Sequence, residues 1–86
     1  MTSGQRGLIK SIRSREQVAF RQLMIEARKN AGLTQQEVAK RLKRPQSFVA
    51  KYEGGERRID VVEFVAIARA IGADPVRLLK GFIEQL

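Results

Sequence analysis

Three polar side chains that can hydrogen-bond to base edges lie close together in residues 34–55, TQQEVAKRLKRPQSFVAKYEGG. Gln46, Ser47 and Lys51 would share the outer side of one short helix. A glutamine amide offers a donor and an acceptor in one plane, and a lysine ammonium donates, which suits adenine and guanine edges in a major groove. Ala50 beside them is small enough to permit close approach. We therefore predict that Gln46, Ser47 and Lys51 contact the bases of double-stranded DNA.

Cationic and amide side chains that suit phosphate oxygens surround this helix. Arg44, Arg57 and Arg58 fall on the predicted loops at its two ends, where phosphate groups would lie. The helix before it would cross the DNA backbone, with its N-terminal amides and Gln35 near a phosphate. The predicted phosphate contacts are Gln35, Gln36, Lys40, Lys43, Arg44, Arg57 and Arg58.

The net charge of +8 on 86 residues favours a polyanionic partner, nucleic acid before an anionic membrane. Residues 1–15 hold four basic and no acidic side chains, and residues 40–58 hold seven basic against two acidic. We predict a basic N-terminal arm at residues 1–13 and one domain at residues 14–86, since a chain of this length forms one small domain. The alternative for such charge runs is a solvated face without a partner.

The composition excludes several kinds of site. The chain has no cysteine and no histidine, which removes thiolate and imidazole nucleophiles, bases and metal ligands. We expect no catalytic residues, metal, cofactor or small-molecule ligand. No apolar run approaches the roughly 20 residues of a membrane span, and the start lacks the apolar core of a signal peptide. The simple expectation is a cytoplasmic, nucleoid-associated protein without membrane contact.

Capping residues, prolines and glycines predict five helices joined by short links. Capping pairs open three of them: Ser14 with Gln17, Thr34 with Glu37, and Asp60 with Glu63. A proline in the first turn is expected to open the other two, at Pro45 and Pro75. Glycines end the first, third and fourth helices at Gly32, Gly54-Gly55 and Gly72. No alternating strand pattern is present, so the predicted fold class is all-α.

Apolar side chains at helical spacing predict the core of the two short helices. These are Val38, Ala39, Leu42, Val49 and Tyr52. Phe48 stands apart from them because it follows the outward Ser47, and two positions stay open for it, in the core or at the edge of its helix.

The segment GLTQQEVAKRLKRPQSFVAKYEGGERRIDVVEFVAIARAIGADPVRLLKGF resembles the lambda-repressor-like, Cro- or XRE-type helix-turn-helix DNA-binding domain. The matching features are Gly32-Leu33-Thr34-Gln35, Ala39 where two helices cross, Val49, and Tyr52-Glu53-Gly54-Gly55, within about residues 28–82. The resemblance implies a compact five-helix domain. It also implies a phosphate contact at Gln35 and base-reading positions at Gln46, Ser47 and Lys51.

Two further positions gain an interpretation from this resemblance. It implies a salt bridge between Arg28 and Glu53 that ties the first helix to the end of the base-reading helix; a phosphate contact by Arg28 is the competing interpretation. Lys43 departs from the family, in which glycine usually holds this turn position. A left-handed non-glycine residue costs roughly 1 kcal/mol. Either the turn has another shape, or the cost is tolerated for one more cation facing phosphate.

Apolar side chains left over from the core predict a homodimer. The segment VVEFVAIARAI at residues 61–71 is apolar almost all round, and such a helix is normally buried on every side. One stripe would fill the core of the domain, and the other would be exposed on a monomer. The predicted dimer interface is Val62, Val65, Phe82, Ile83 and Leu86. The alternative is scattered surface valines, which need no partner.

These features together predict a sequence-specific transcriptional regulator without enzymatic activity. We expect a repressor that binds a pseudo-palindromic operator as a dimer, with the recognition helices of its two copies on two half-sites. The alternative is an antitoxin-type DNA-binding protein that also binds a partner protein. An exposed apolar or acidic surface larger than a dimer requires would favour that alternative.

Overall fold

Five helices and no strand make up the part of the chain that the structure describes. The computed structural model describes residues 14–86, so the predicted arm at residues 1–13 lies outside the described residues. The helices are α1 (Arg15–Asn30), α2 (Gln35–Leu42), α3 (Gln46–Gly54), α4 (Val61–Ile71) and α5 (Pro75–Glu84). The prediction of an all-α, five-helix domain is confirmed.

Side-chain caps satisfy free backbone N–H groups at the start of four helices. The hydroxyl of Ser14 accepts from the Gln17 N–H at 3.1 Å, and the Asp74 carboxylate accepts from the Val76 N–H at 2.9 Å. Reciprocal capping boxes open α2 and α4, formed by Thr34 with Glu37 and by Asp60 with Glu63. Local sequence therefore sets these four helix starts. The predicted caps at Ser14, Thr34 and Asp60 are confirmed, and Pro75 is the first residue of α5, as predicted.

The third helix begins without a side-chain cap. Pro45 occupies the N-cap position, with φ −61° and ψ 151°, and the first helical residue is Gln46. The prediction that Pro45 lies inside the first turn is wrong by one residue. The proline ring fixes φ near −65°, a value that suits both positions, so the residue type alone does not separate them.

The core lies between α1, α2, α3 and α4. Its most deeply buried large side chains come from all four helices: Met24, Val38, Val49 and Ile67. The Phe20 ring lies 5.7 Å from that of Phe64 and 5.3 Å from that of Phe82, between centroids, which attaches α5 to α1 and α4. Because α2 packs on both α3 and α4, the orientation of α3 is set by the body of the domain.

Candidate nucleic-acid interface

The turn between α2 and α3 contains the one left-handed non-glycine residue in the described part of the chain. Lys43 has φ 57° and ψ 41°. Its N–H donates to the carbonyl of Lys40 at 3.1 Å, and the Arg44 N–H donates to the carbonyl of Ala39 at 3.0 Å. This is the hydrogen-bond pattern that usually closes a helix at glycine. The turn therefore keeps the glycine-type shape, and the chain tolerates the cost of a lysine there.

Replacing Lys43 with glycine should raise the free energy of unfolding by about 0.5–1 kcal/mol. Glycine removes the left-handed strain, although part of that gain is offset by the larger entropy of the unfolded chain. The same change should weaken duplex binding and lower its salt dependence, because one cation is lost. Urea denaturation and binding titrations at several salt concentrations measure the two effects. Lys43→Ala is the matched control, since it removes the cation but keeps the strain and should bring no gain in stability.

The two sides of α3 differ sharply in exposure. Phe48, Val49 and Tyr52 are buried on the inner side. On the outer side, Gln46, Ser47, and Lys51 are exposed, and Ala50 is half-buried. Of the two positions left open for Phe48, the core is the one observed, because its residue surface is only 7% exposed. The outer side of α3 thus presents the three side chains predicted to contact bases.

A buried ion pair fixes the C-terminal end of α3 against α1. Arg28 Nε and Nη2 donate to the two carboxylate oxygens of Glu53 at 2.8 and 3.0 Å. A third donor of the same guanidinium reaches the Leu33 carbonyl at 2.8 Å. The Arg28 and Glu53 side chains are 11% and 4% exposed. The hydrogen bonds to Glu53 hold the pKa of Arg28 above its ordinary value. The pair implied by the resemblance is therefore present, and it engages three donors of Arg28.

Gln35 takes part in the same cluster. Its side-chain amide donates to Glu53 Oε1 at 2.9 Å, and the residue is half-buried. This bond ties the first turn of α2 to the end of α3. The phosphate contact at Gln35 stays a prediction. The Gln35 amide nitrogen would have to donate to the phosphate and to Glu53 at the same time.

Arg57 is occupied by partners within the protein. Its Nη1 and Nη2 donate to the two carboxylate oxygens of Glu63 at 3.0 and 2.8 Å, and Nη1 also donates to the Arg58 carbonyl at 3.0 Å. The hydrogen bonds from Arg57 hold the pKa of the Glu63 carboxyl below its ordinary value. A phosphate contact by Arg57 stays a prediction, but these bonds leave it fewer free donors than the sequence suggested.

The other predicted phosphate contacts are on the surface. Gln36 and Lys40 are exposed on α2, Lys43 and Arg44 on the turn, and Arg58 on the loop after α3. Sequence reasoning did not assign Arg41, which is also on α2 and donates to the Ala70 carbonyl at 2.8 Å. That bond satisfies a free carbonyl at the end of α4, and no local pattern in the sequence indicates it.

The residues predicted for the dimer interface lie on α4, on α5 and at the C-terminal end of the chain, outside α3. Val62, Ile83 and Leu86 are 74%, 56% and 68% exposed. Val65 and Phe82 are half-buried, and the Phe82 ring packs on Phe20 within the domain. Val61, the optional third member of the exposed stripe predicted for α4, is also exposed. Further large apolar residues are exposed that the sequence did not assign to an interface: Val18, Val76 and Leu79.

Neither a metal cluster nor a membrane-spanning helix occurs among residues 14–86. No three histidine, cysteine or carboxylate side chains in this part of the chain are grouped to hold a metal ion. None of its helices combines the length and the hydropathy that crossing a bilayer requires.

Comparisons with known proteins agree with this geometry. A family model described as a helix-turn-helix domain matches residues 19–79. A solved structure, an XRE-family like protein from Pseudomonas syringae pv. tomato str. DC3000, is similar with a TM-score of 0.82 and 47% identity, over 92% of this chain and 96% of that chain. No curated protein matches the chain. The order of helices, the α2–α3 turn and these matches show that the chain belongs to the Cro/XRE-type helix-turn-helix family.

Proposed function

We propose that this protein is a sequence-specific transcriptional regulator that reads double-stranded DNA with the outer side of α3. The observation that carries the proposal is the exposure of Gln46, Ser47 and Lys51 on a helix whose other side is buried. A reading helix must keep its side chains within hydrogen-bonding distance of base edges, so it needs a rigid support. The bonds from Arg28 and Gln35 to Glu53 provide that support at the C-terminal end of α3.

Phosphate contacts would supply most of the affinity. Exposed cations lie on α2 and on the two loops that flank α3, and phosphate contacts position a protein on the duplex without base specificity. Each cation that neutralises a phosphate releases counterions, so that affinity should fall steeply with salt. The residues proposed for this role are Gln35, Gln36, Lys40, Lys43, Arg44, Arg57 and Arg58.

A dimer would place two copies of α3 on one side of the duplex. Two-fold symmetry would set them about 34 Å apart, so that they read the half-sites of a pseudo-palindrome. The exposed apolar side chains of Val62 on α4 and Ile83 on α5 support burial against a second copy, because exposed apolar patches often mark interaction sites. Occupancy of such an operator would act as repression.

An antitoxin-type protein that also binds a partner protein is the second candidate. Val76 and Leu79, on α5, are 73% and 43% exposed and lie outside the residues proposed for the dimer. More large apolar side chains are therefore exposed than the proposed dimer uses, which is the feature expected of a chain with an additional protein partner.

Replacing Gln46 or Lys51 with alanine should reduce the preference for the cognate site by roughly 1–3 kcal/mol per lost base contact. Both side chains are exposed, so the fold should survive. The cognate site is first obtained by selecting random duplexes on the purified protein. Binding of each variant to cognate and random duplexes is then compared at one salt concentration.

Two exposed residues on other helices provide matched controls for this experiment. Gln22→Ala on α1 and Lys80→Ala on α5 delete the same side-chain types away from α3. Neither change should alter sequence preference. An equal loss on cognate and random duplexes for Gln46→Ala and Lys51→Ala would contradict a base-reading role and leave only phosphate binding.

A further inference from the structure

Two arginine guanidinium groups lie against the ring of Phe48. Arg44 Cζ lies 4.1 Å from the ring centroid and Arg57 Cζ lies 4.7 Å from it. Both distances are within the range of attraction between a cation and the face of an aromatic ring. The ring also meets Tyr52 nearly at right angles, with 5.4 Å between centroids, so the core holds it in one orientation. The ring is thus a fixed platform at the first turn of α3.

The two arginines use this platform differently. Arg57 gives its terminal donors to Glu63 and to the Arg58 carbonyl, so its charge is compensated within the protein. Arg44 is exposed, and within residues 14–86 its side chain makes the ring contact without a hydrogen bond or an ion pair. A ring face holds a guanidinium without consuming any of its five N–H donors. Arg44 is therefore positioned and still able to bind an anion.

The backbone of Arg44 is restrained as well. Its N–H donates to the Ala39 carbonyl at 3.0 Å. The residue that follows is Pro45, and a proline disfavours the helical region for the residue before it. A free arginine side chain loses considerable rotamer freedom when it binds, and a contact that fixes it beforehand reduces this cost.

We propose that Phe48 is a positioning residue for DNA binding, whose ring holds the Arg44 guanidinium with its donors directed to one backbone phosphate. The second guanidinium on the ring belongs to Arg57 and is held there by its ion pair with Glu63, which keeps the Phe48 ring in place. The inference rests on the proposed DNA-binding function. It assigns to Phe48 a role that its burial alone, which would make it a core residue, does not require.

A double-mutant cycle on duplex binding tests this role. Arg44→Ala should weaken binding to cognate and random duplexes by a similar factor and lower the salt slope by about one unit, as loss of one phosphate contact does. In the Phe48→Leu background, the factor by which Arg44→Ala lowers the duplex affinity should be about two- to fivefold smaller, because the contact between the guanidinium and the ring is already lost. Phe48→Tyr retains a ring and should restore the full effect. A purely structural role for Phe48 would leave the factor for Arg44→Ala the same in every background.

Lys40→Ala is the control in the same backgrounds. Lys40 is exposed on α2 and is not among the cations on the ring, so its loss should cost the same factor with and without Phe48. An equal effect of Arg44→Ala in both backgrounds, while the wild-type protein binds duplex, would overturn the inference alone. Failure of the wild-type protein to bind any duplex would overturn the proposed function and the inference with it.

A measurement on the free wild-type protein removes any dependence on how the variants fold. A guanidinium over an aromatic ring lies in its ring-current field, so the side-chain proton resonances of Arg44 should move upfield of ordinary arginine positions. Lys40 resonances should stay at ordinary positions. Ordinary shifts for Arg44 in a folded wild-type protein would show that the ring does not hold it, and would overturn the proposal without any DNA.

Discussion

Replacing Arg28 with alanine should lower the free energy of unfolding by about 3–5 kcal/mol, because it leaves the Glu53 carboxylate buried with a single remaining side-chain partner. Glu53 keeps only the bond from Gln35, and the Leu33 carbonyl loses its donor. A domain of this size has a total stability of roughly 5–15 kcal/mol, so the loss is a large part of it. The midpoint of thermal unfolding should fall by at least about 10 °C.

Arg57→Ala is the matched control for this prediction. It breaks a second bidentate ion pair, in which the side chains of Arg57 and Glu63 are 38% and 19% exposed. Water can replace the lost partner, and exposed ion pairs contribute little to stability, so its effect should be much smaller. Similar losses in the free energy of unfolding for Arg28→Ala and Arg57→Ala, measured by urea denaturation, would show that burial does not set the cost of breaking the Arg28–Glu53 pair.

Removing both members of the buried pair gives a further check. Combining Arg28→Met with Glu53→Leu removes the Glu53 carboxylate together with its arginine partner, and apolar side chains of similar size can fill the space. Most of the stability lost in Arg28→Ala should return. If the double variant is as unstable as the single one, the loss arises from the Leu33 carbonyl and the Gln35 amide, which have lost their partners, and not from the unpaired carboxylate.

The helices could be predicted from sequence wherever a local interaction sets their ends. Ser14, Thr34 and Asp60 each cap an N–H group three residues along the same chain, and such contacts depend only on residue types a few positions apart. Pro45 was misplaced by one residue because its fixed φ is compatible with either position. The outward side of α3 could be predicted because helical periodicity separates it from the buried side.

The partners of the charged residues could not be predicted in the same way. Charge and residue type mark Arg44 and Arg57 alike as candidates for phosphate, and both guanidinium groups lie over the Phe48 ring. Of the two, only Arg57 is also bonded to a carboxylate among residues 14–86, that of Glu63. The difference depends on how close α4 comes to the loop after α3, which is a tertiary contact. Arg41 bonds to the end of α4 for the same kind of reason. Types and spacing therefore give the candidates, and packing decides which donors stay free.

The surface around α4 leads to the second large prediction, which concerns dimerisation. An open groove beside α4 is lined by Val61, Val62, Val65, Ala66 and Arg69. Val62 is the second residue of α4, where a carboxylate is favoured by the helix dipole and by free N–H groups. An aspartate at this position should therefore leave the helix intact. In a dimer interface, by contrast, it would bury an unpaired charge, which is strongly unfavourable.

Val62→Asp should convert the proposed dimer to a monomer and weaken binding to a palindromic duplex by about 10²–10⁴-fold, because two linked half-site contacts become independent. Val76→Asp is a closely matched control: it is also the second residue of its helix, follows an aspartate cap, and is 73% exposed against 74% for Val62. It adds the same charge outside the proposed interface and should change neither property much. Sedimentation gives the oligomeric state, and titration of full and half-sites gives the loss. A wild-type protein that sediments as a monomer, or equal effects of the two variants, would contradict the α4 interface.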